Sequence, residues 1–405
     1  MFATLTIWIE ASYAERCFEA AILLLAAAVI SSSPAVPRLM LAILSVVALW
    51  GPIQLLAGAS VVPYETSIAA LRWAVLAATF FLVYESLKDR ELRERAWTWL
   101  AAFGGLLGAL ATVQAYTSHG FYFWLFPSDQ PQVFGPFQNQ NNYAAFIELT
   151  LPLTLWKGLE PGKYRILWWI QAAVMAASVI VAGSRAGAAL VAAEIPAVLM
   201  VAHCSQRFAR GQVAGVAAKV AVAAMLCIAA TGWETLEGRL RAANPFLYRR
   251  EMVQSAIAMA RERPWTGFGL GTFAAVYPSY AVFDNGYAVN HAHNDWAEWA
   301  AEGGMPFLFL LASIAAFSSV PAIRSGWGLG LVAVYVHGLV DFPMQRTGVV
   351  IWVSVIGAAL AAEHRYQPHR RQYNRAGEPI GTGRTLITEN QLAEREVRRR
   401  LEAHD

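Results

Sequence analysis

Apolar residues fill this chain in runs of about twenty, cut by short polar breaks. The runs Leu39 to Ile53 and Leu167 to Ala182 carry no polar stripe at helical spacing. A helix apolar all round needs an apolar environment on every side. Runs of this length and composition read as membrane spans. Hydropathy and length predict eleven, near 18–33, 38–58, 67–87, 97–117, 142–157, 164–182, 186–203, 214–231, 296–322, 327–343 and 346–362. Residues 2–14 offer a short or interfacial twelfth. The predicted fold is all-α: a polytopic helical integral membrane protein with about 11–12 transmembrane helices.

The polar breaks set the expected orientation. KDRELRER holds Lys88, Arg90, Arg93 and Arg95; the link at 157–165 holds Lys157, Lys163 and Arg165; the link at 203–213 holds Arg207 and Arg210. Lys and Arg collect on the cytoplasmic side. Segments 118–141, 183–186 and 232–295 then face outward. The predicted organisation is a membrane domain over 1–362, with a smaller outer loop at 118–141 and a large helical one at 232–295. A charged cytoplasmic tail covers 363–405. Long ordered loops are usually functional.

Composition adds exclusions. Charged residues make up 15% of the chain and apolar ones 57%, with a formal net charge of +3. That charge is too small to suggest nucleic acid as a partner. Three scattered cysteines give neither a metal spacing nor a disulfide framework. The N-terminus lacks a basic region and a clean cleavage site, so no removable signal peptide is expected. With no GxxxxGK loop, ATP hydrolysis is not expected. GFGLG at 267–271 has the wrong spacing for a dinucleotide loop and reads as a tight turn packed on the membrane surface.

Four outward constellations carry candidate chemistry. In AGSRAG, Arg185 sits at a membrane boundary between two glycines. It is either a snorkelling anchor or a functional cation. In the long loop, Tyr248, Arg249 and Arg250 open an amphipathic helix that Arg261, Arg263 and Pro264 close. Arginine binds phosphate bidentately, so an anion is the natural partner; a helix lying on lipid headgroups is the plainer reading. NHAHNDWAEWAAEGG offers His291, His293 and Asn294. Helical spacing puts Asn294, Glu298 and Glu302 on one face and His291 and His293 apart, so no metal is expected. Trp296 and Trp299 fit an interfacial belt. Finally, His337 lies within an apolar run with Asp341 four residues on, able to orient or charge-tune the imidazole. Such a histidine serves as a general base or as a structural core residue.

FGPFQNQNNYAAF (134–146), GSRAG (183–187), YRREM with RPWTGFGLGTF (248–273), HAHNDWAEWAAEGGMPF (291–307) and HGLVDFP (337–343) together resemble the O-antigen ligase family of bacterial membrane glycosyltransferases. The resemblance implies an inner-membrane, multi-pass enzyme with a periplasmic active site. It would move a glycan from undecaprenyl diphosphate to a hydroxyl of lipid A–core, needing no cofactor and no metal. The family's diphosphate-binding arginines would map to Arg185 and to Arg249 or Arg250, and its essential histidine to His337. Tyr248, His291, His293, Asn294, Asp341, Asn139 and Asn141 are further binding or orienting candidates.

Two other readings compete. An O-antigen or exopolysaccharide polymerase would share every motif and differ in acceptor. A transporter of lipid-linked glycans would place polar groups at the bilayer midplane and show repeated broken helices. Mid-span acids occur at few positions, such as Glu148 and Glu194, and the polar cluster lies at one surface, which favours an enzyme.

Overall fold

The computed structural model describes residues 1–6, 13–30, 36–205, 247–282 and 288–366, with isolated positions between 208 and 238 and at 286. Most of the span predicted at 214–231 lies outside the described residues. So do Arg207, Arg210, much of the large outer loop and the tail beyond Tyr366. Residues 1–364 form one compact unit.

The described chain is helical. A short α1 (Phe2–Leu5) precedes α2 (Tyr13–Ile30), α3 (Arg38–Leu56), α4 (Pro63–Ser86) and α5 (Arg90–Thr117). A two-stranded ribbon, β1 (Phe121–Tyr122) and β2 (Phe126–Pro127), marks the smaller loop. Then follow α6 (Gln140–Leu159), α7 (Arg165–Ala182) and α8 (Arg185–Cys204). The larger loop supplies α9 (Leu247–Glu262) and α10 (Phe273–Val276), before α11 (Asp295–Ser325), α12 (Leu329–His337) and α13 (Thr347–Tyr366). Seven described helices are long and apolar enough to cross a membrane: α3, α4, α5, α7, α8, α11 and α13. The protein is a polytopic helical membrane protein.

Helix α6 falls outside that set because its sequence is more polar, and its place in the fold explains why that is tolerated. It is buried along nearly its whole length and packs against α5, α7, α8 and α12. A helix enclosed by protein can carry a polar group wherever a neighbour satisfies it. Among its neighbours, α12 is shorter than the predicted 327–343 span. It ends at His337, and a turn through Gly338 leads to the one-turn helix at Pro343–Gln345. Proline at 343 has no N–H to continue the ladder.

The large loop packs by side chain and by strap. Met252, Ala256, Met259, Phe268, Phe273 and Tyr277 form a small apolar core between α9 and the following segment. The GFGLG strap runs against protein, not against the membrane surface that its sequence suggests. Phe268 N donates to the Ala301 carbonyl and Gly269 N to that of Glu302, both 3.0 Å, while the Phe268 carbonyl accepts from Val61 N at 2.9 Å. Gly267 has φ +65°, and a Cβ there would strike the Glu302 backbone. Glycine is the residue that permits both the left-handed turn and the close approach.

Candidate functional site

The separate motifs meet at one end of the helix bundle, around Asp341. Gly183 (φ 69°) ends α7 in the left-handed conformation, and Ser184 caps α8 by accepting from Gly187 N at 3.2 Å. This puts Arg185, half-buried, at the first position of α8. Ser184 Oγ also donates to Asn141 Oδ1 at 2.8 Å. The Asn141 amide in turn donates to Asp341 Oδ2. Arg249 Nη2 lies 3.1 Å from the same oxygen, and His293 Nδ1 lies 3.1 Å from Oδ1. Arg249 Nη1 donates to the Val340 carbonyl at 2.9 Å.

One buried carboxylate therefore ties together the starts of α6 and α8, the large loop, the HAHND segment and the turn after α12. Burial would raise the Asp341 pKa. The hydrogen bond from His293 and the charges of Arg249, His293 and His337 outweigh it and hold the group below the usual aspartate range.

His337 sits apart from this knot, fully buried. Asp341 does not hold its ring; the hydrogen bond expected from the i,i+4 spacing is made elsewhere. The partner is Glu148 of α6, whose two oxygens lie 2.8 and 3.1 Å from His337 Nδ1. The link between His337 and Asp341 is the backbone bond of the turn, Asp341 N to the His337 carbonyl at 3.0 Å. Among the described residues His337 Nε2 is buried without a hydrogen-bond partner. Gly330 sets this pairing, because its missing side chain lets α12 approach the backbone of Glu148 and brings His337 alongside two turns later.

The opening polar stretch resolves into cap and tethers. Asn294 caps α11, accepting from Ala297 N at 2.9 Å and donating to the Leu339 carbonyl at 2.7 Å. Glu298 accepts from Ala292 N at 2.7 Å and lies 2.9 Å from His291 Nδ1. Glu302 accepts from Phe273 N at 2.9 Å. His291 and His293 precede the helix, so helical spacing does not govern them. Both rings pack on Phe342, His291 stacked at 4.4 Å and His293 edge-on at 4.7 Å. Trp299 is buried against Trp73, not placed in an interfacial belt. Among the described residues, no group of His, Cys, Asp and Glu is arranged to hold a metal ion.

The adjacent arginines differ in setting: Arg249 is half-buried toward Asp341, whereas Arg250 is exposed. Tyr248 is exposed and borders a cavity of about 360 Å³ together with Asn139, His291, His293 and Arg346. A smaller cavity of about 200 Å³ adjoins it, bordered by Arg72, His291, Glu298 and Glu302.

Reading the sequence did not single out Arg346, Arg72 or Ser184, or pair Glu148 with His337. Glu148 had a legible signal, as an acid inside an apolar run. Arg346 had a weaker one: it follows HGLVDFPMQ by position alone.

The fold and the convergent polar end thus define a multi-pass helical membrane protein with a cavity, lined in part by Arg346, His291 and His293, at one end of its bundle. The model of the O-antigen ligase family matches residues 170–312, so that stretch is similar to the family. The match takes in GSRAG, the Tyr248–Phe273 segment and the HAHND stretch; the FGPFQNQNNYAAF and HGLVDFP motifs lie outside it. No curated protein matches the chain.

Proposed function

We propose that this protein transfers a glycan from undecaprenyl diphosphate to a hydroxyl of lipid A–core, on the periplasmic side of the bacterial inner membrane. The observation that carries the reading is the knot at Asp341. It gathers the GSRAG, YRRE, HAHND and HGLVDFP segments at one bundle end, beside a cavity that Arg346 lines. The family match supports the coarser part, a lipid-linked glycan substrate in a membrane.

In this mechanism Arg185 and Arg249 bind the donor diphosphate. Arg249 is preferred to Arg250 because it faces the site. Three helix starts, those of α6, α8 and α11, add their partial positive charge at the same end. Glu148 holds Nδ1–H of His337 and leaves the Nε2 lone pair as base. The acceptor oxygen forms its bond to the anomeric carbon as the bond from that carbon to the phosphate oxygen breaks. The hydroxyl proton passes to Nε2, and the electron pair leaves on the diphosphate, whose charge the arginines stabilise. No step calls for a metal or a nucleotide. Nε2 is enclosed here, so the mechanism requires the 338–345 turn to move as the acceptor enters. Asn139, Tyr248 and His291, which line the cavity, would bind or orient sugar there.

The test is transfer by purified full-length protein in nanodiscs, with undecaprenyl-diphosphate glycan as donor. The assay is run with and without lipid A–core, in the presence of EDTA. Transfer to lipid A–core that survives EDTA supports the ligase reading. Chain growth without lipid A–core would instead make the protein a polymerase, and no turnover with either acceptor would end the transferase reading.

A further inference from the structure

The polar wall of the 360 Å³ cavity is of one kind. Arg346, Tyr248, Asn139, Asn290, His291 and His293 supply it, and no aspartate or glutamate is among its described lining residues. Groups rich in N–H and O–H donors, with no carboxylate between them, suit an anion.

Arg346 is the guanidinium in that wall. It is rooted where α13 begins, its carbonyl accepting from Val349 N and Val350 N, both at 2.9 Å. The charged head lies over the Phe342 ring, 5.4 Å from the centroid, a cation–π placement that orients the fork. It makes no hydrogen bond or ion pair with any described residue. Arg346 is half-buried, its stem covered while the charged head reaches the cavity. Arg72 stands in the neighbouring cavity beside Glu65, Glu298 and Glu302, and its Nη1 donates to the Gln345 carbonyl at 3.3 Å. Burial, and then the nearby Arg72 charge, pull the Arg346 pKa below the usual guanidinium value, against the attraction of Glu298 and Asp341. An anion in the cavity would relieve that repulsion.

Arg249 offers a contrast. Its terminal nitrogens are engaged by Asp341 and the Val340 carbonyl, and neither it nor Arg185 lines the cavity.

We propose that Arg346 is a further phosphate-binding arginine, acting from this cavity beside the Arg185 and Arg249 clamp, and that the phosphate it takes is the diphosphate of a polyprenyl-linked donor. The choice of donor rests on the transferase reading above; the anion site does not. Two phosphoryl oxygens would meet the guanidinium fork in parallel, with Tyr248 Oη and the Asn139 amide as donors to the rest. A phospholipid headgroup shares the phosphate chemistry and is the rival source.

The full-length chain in phosphatidylcholine nanodiscs is titrated with farnesyl diphosphate, and with farnesol as the uncharged control. Arg346→Gln is expected to weaken farnesyl diphosphate about tenfold to hundredfold and leave farnesol unchanged. Arg346→Lys should fall between, because an ammonium keeps the charge but not the fork. Arg250→Gln should stay within about twofold of wild type.

An Arg346→Gln protein that binds the diphosphate as wild type does overturns the proposal. If that variant loses farnesol too, the cavity itself has failed and Arg346→Lys decides. Weaker diphosphate with intact farnesol supports the proposal, and equal binding of both overturns it. In nanodiscs containing phosphatidylglycerol, competition that disappears with Arg346→Gln would assign the site to a headgroup and overturn the donor assignment. Wild type that binds the diphosphate through Arg346 yet transfers no glycan defeats the transferase reading alone. Equal transfer and binding by wild type and Arg346→Gln defeats the Arg346 site alone.

Discussion

Two imidazole–carboxylate pairs stand close together in this bundle end and are built for different conditions. His337 and Glu148 are both fully buried, joined at 2.8 Å within the helix bundle, with Nε2 left bare among the described residues. His293 and Asp341 meet at 3.1 Å at the cavity, and there the carboxylate also serves Arg249, Asn141 and a backbone N–H. In the first pair the acid has one visible task, which is to orient and charge-balance one ring. In the second the acid is a junction, and the histidine is one of several spokes. On the proposed mechanism, similar chemistry serves as a proton-accepting unit in one place and as a fastener in the other. The difference lies in how many partners share the carboxylate.

Substitutions separate the two roles. The largest effect is expected for His337→Ala, which should cut glycan transfer about 10²- to 10⁴-fold; because it also strands the buried Glu148 carboxylate, transfer is read only from protein whose thermal unfolding shows it to be folded. Full activity in that variant would end the general-base assignment. Next comes Asp341→Ala, expected to act on stability first. It strands Arg249 and His293 together, and losing one member of a buried ion pair costs roughly 3 kcal/mol. That is the low end of the range, because the Arg249 side chain is 25% exposed. Thermal unfolding in detergent measures it, and a midpoint equal to wild type would show that Asp341 is not a junction.

Gly267→Ala should be milder, about 1–2 kcal/mol from the left-handed turn, with any further loss set by how far the Glu302 backbone yields. An unchanged midpoint would mean that the strap does not depend on its close approach to α11.

The smallest effect is a pH dependence confined to the fastener. The folded Asp341 pKa lies below its unfolded value. Its stabilisation is therefore fully present above the unfolded aspartate pKa of about 3.9 and is lost as pH falls through the folded value. Wild type should lose stability below about pH 4 more steeply than Asp341→Asn. Parallel curves for the two proteins would remove Asp341 as the source.

The individual residues show how far one dimension reaches. Arg185 was legible at a break between two apolar runs, and the structure makes that break the end of α7 and, through Ser184, the cap of α8. His337 stood out because an imidazole inside an apolar run needs a reason. Its partner could not be chosen from spacing: Asp341 was four residues away and on the expected face, yet the chain turns at Gly338, and the ring faces α6 instead. His291 and His293 were separated by a helical rule that does not apply before the helix begins, and Phe342, about fifty residues on, brings their rings together. Arg346 gave almost no local signal, because its significance lies in the partners it lacks.

What the sequence by itself determined is the class of fold: long runs with no polar face leave no stable arrangement but a helical bundle in an apolar medium. It also placed the polar motifs at the ends of those runs, since uncompensated charge within the apolar interior is costly. Only the tertiary structure decided which charges cancel and which do not. Coulomb energy depends on distance and burial, not on chain order. Glu148 reaches His337 across 189 positions, and Arg249 reaches Asp341 through the fold, while Arg346, five residues from Asp341, is left to face an open cavity.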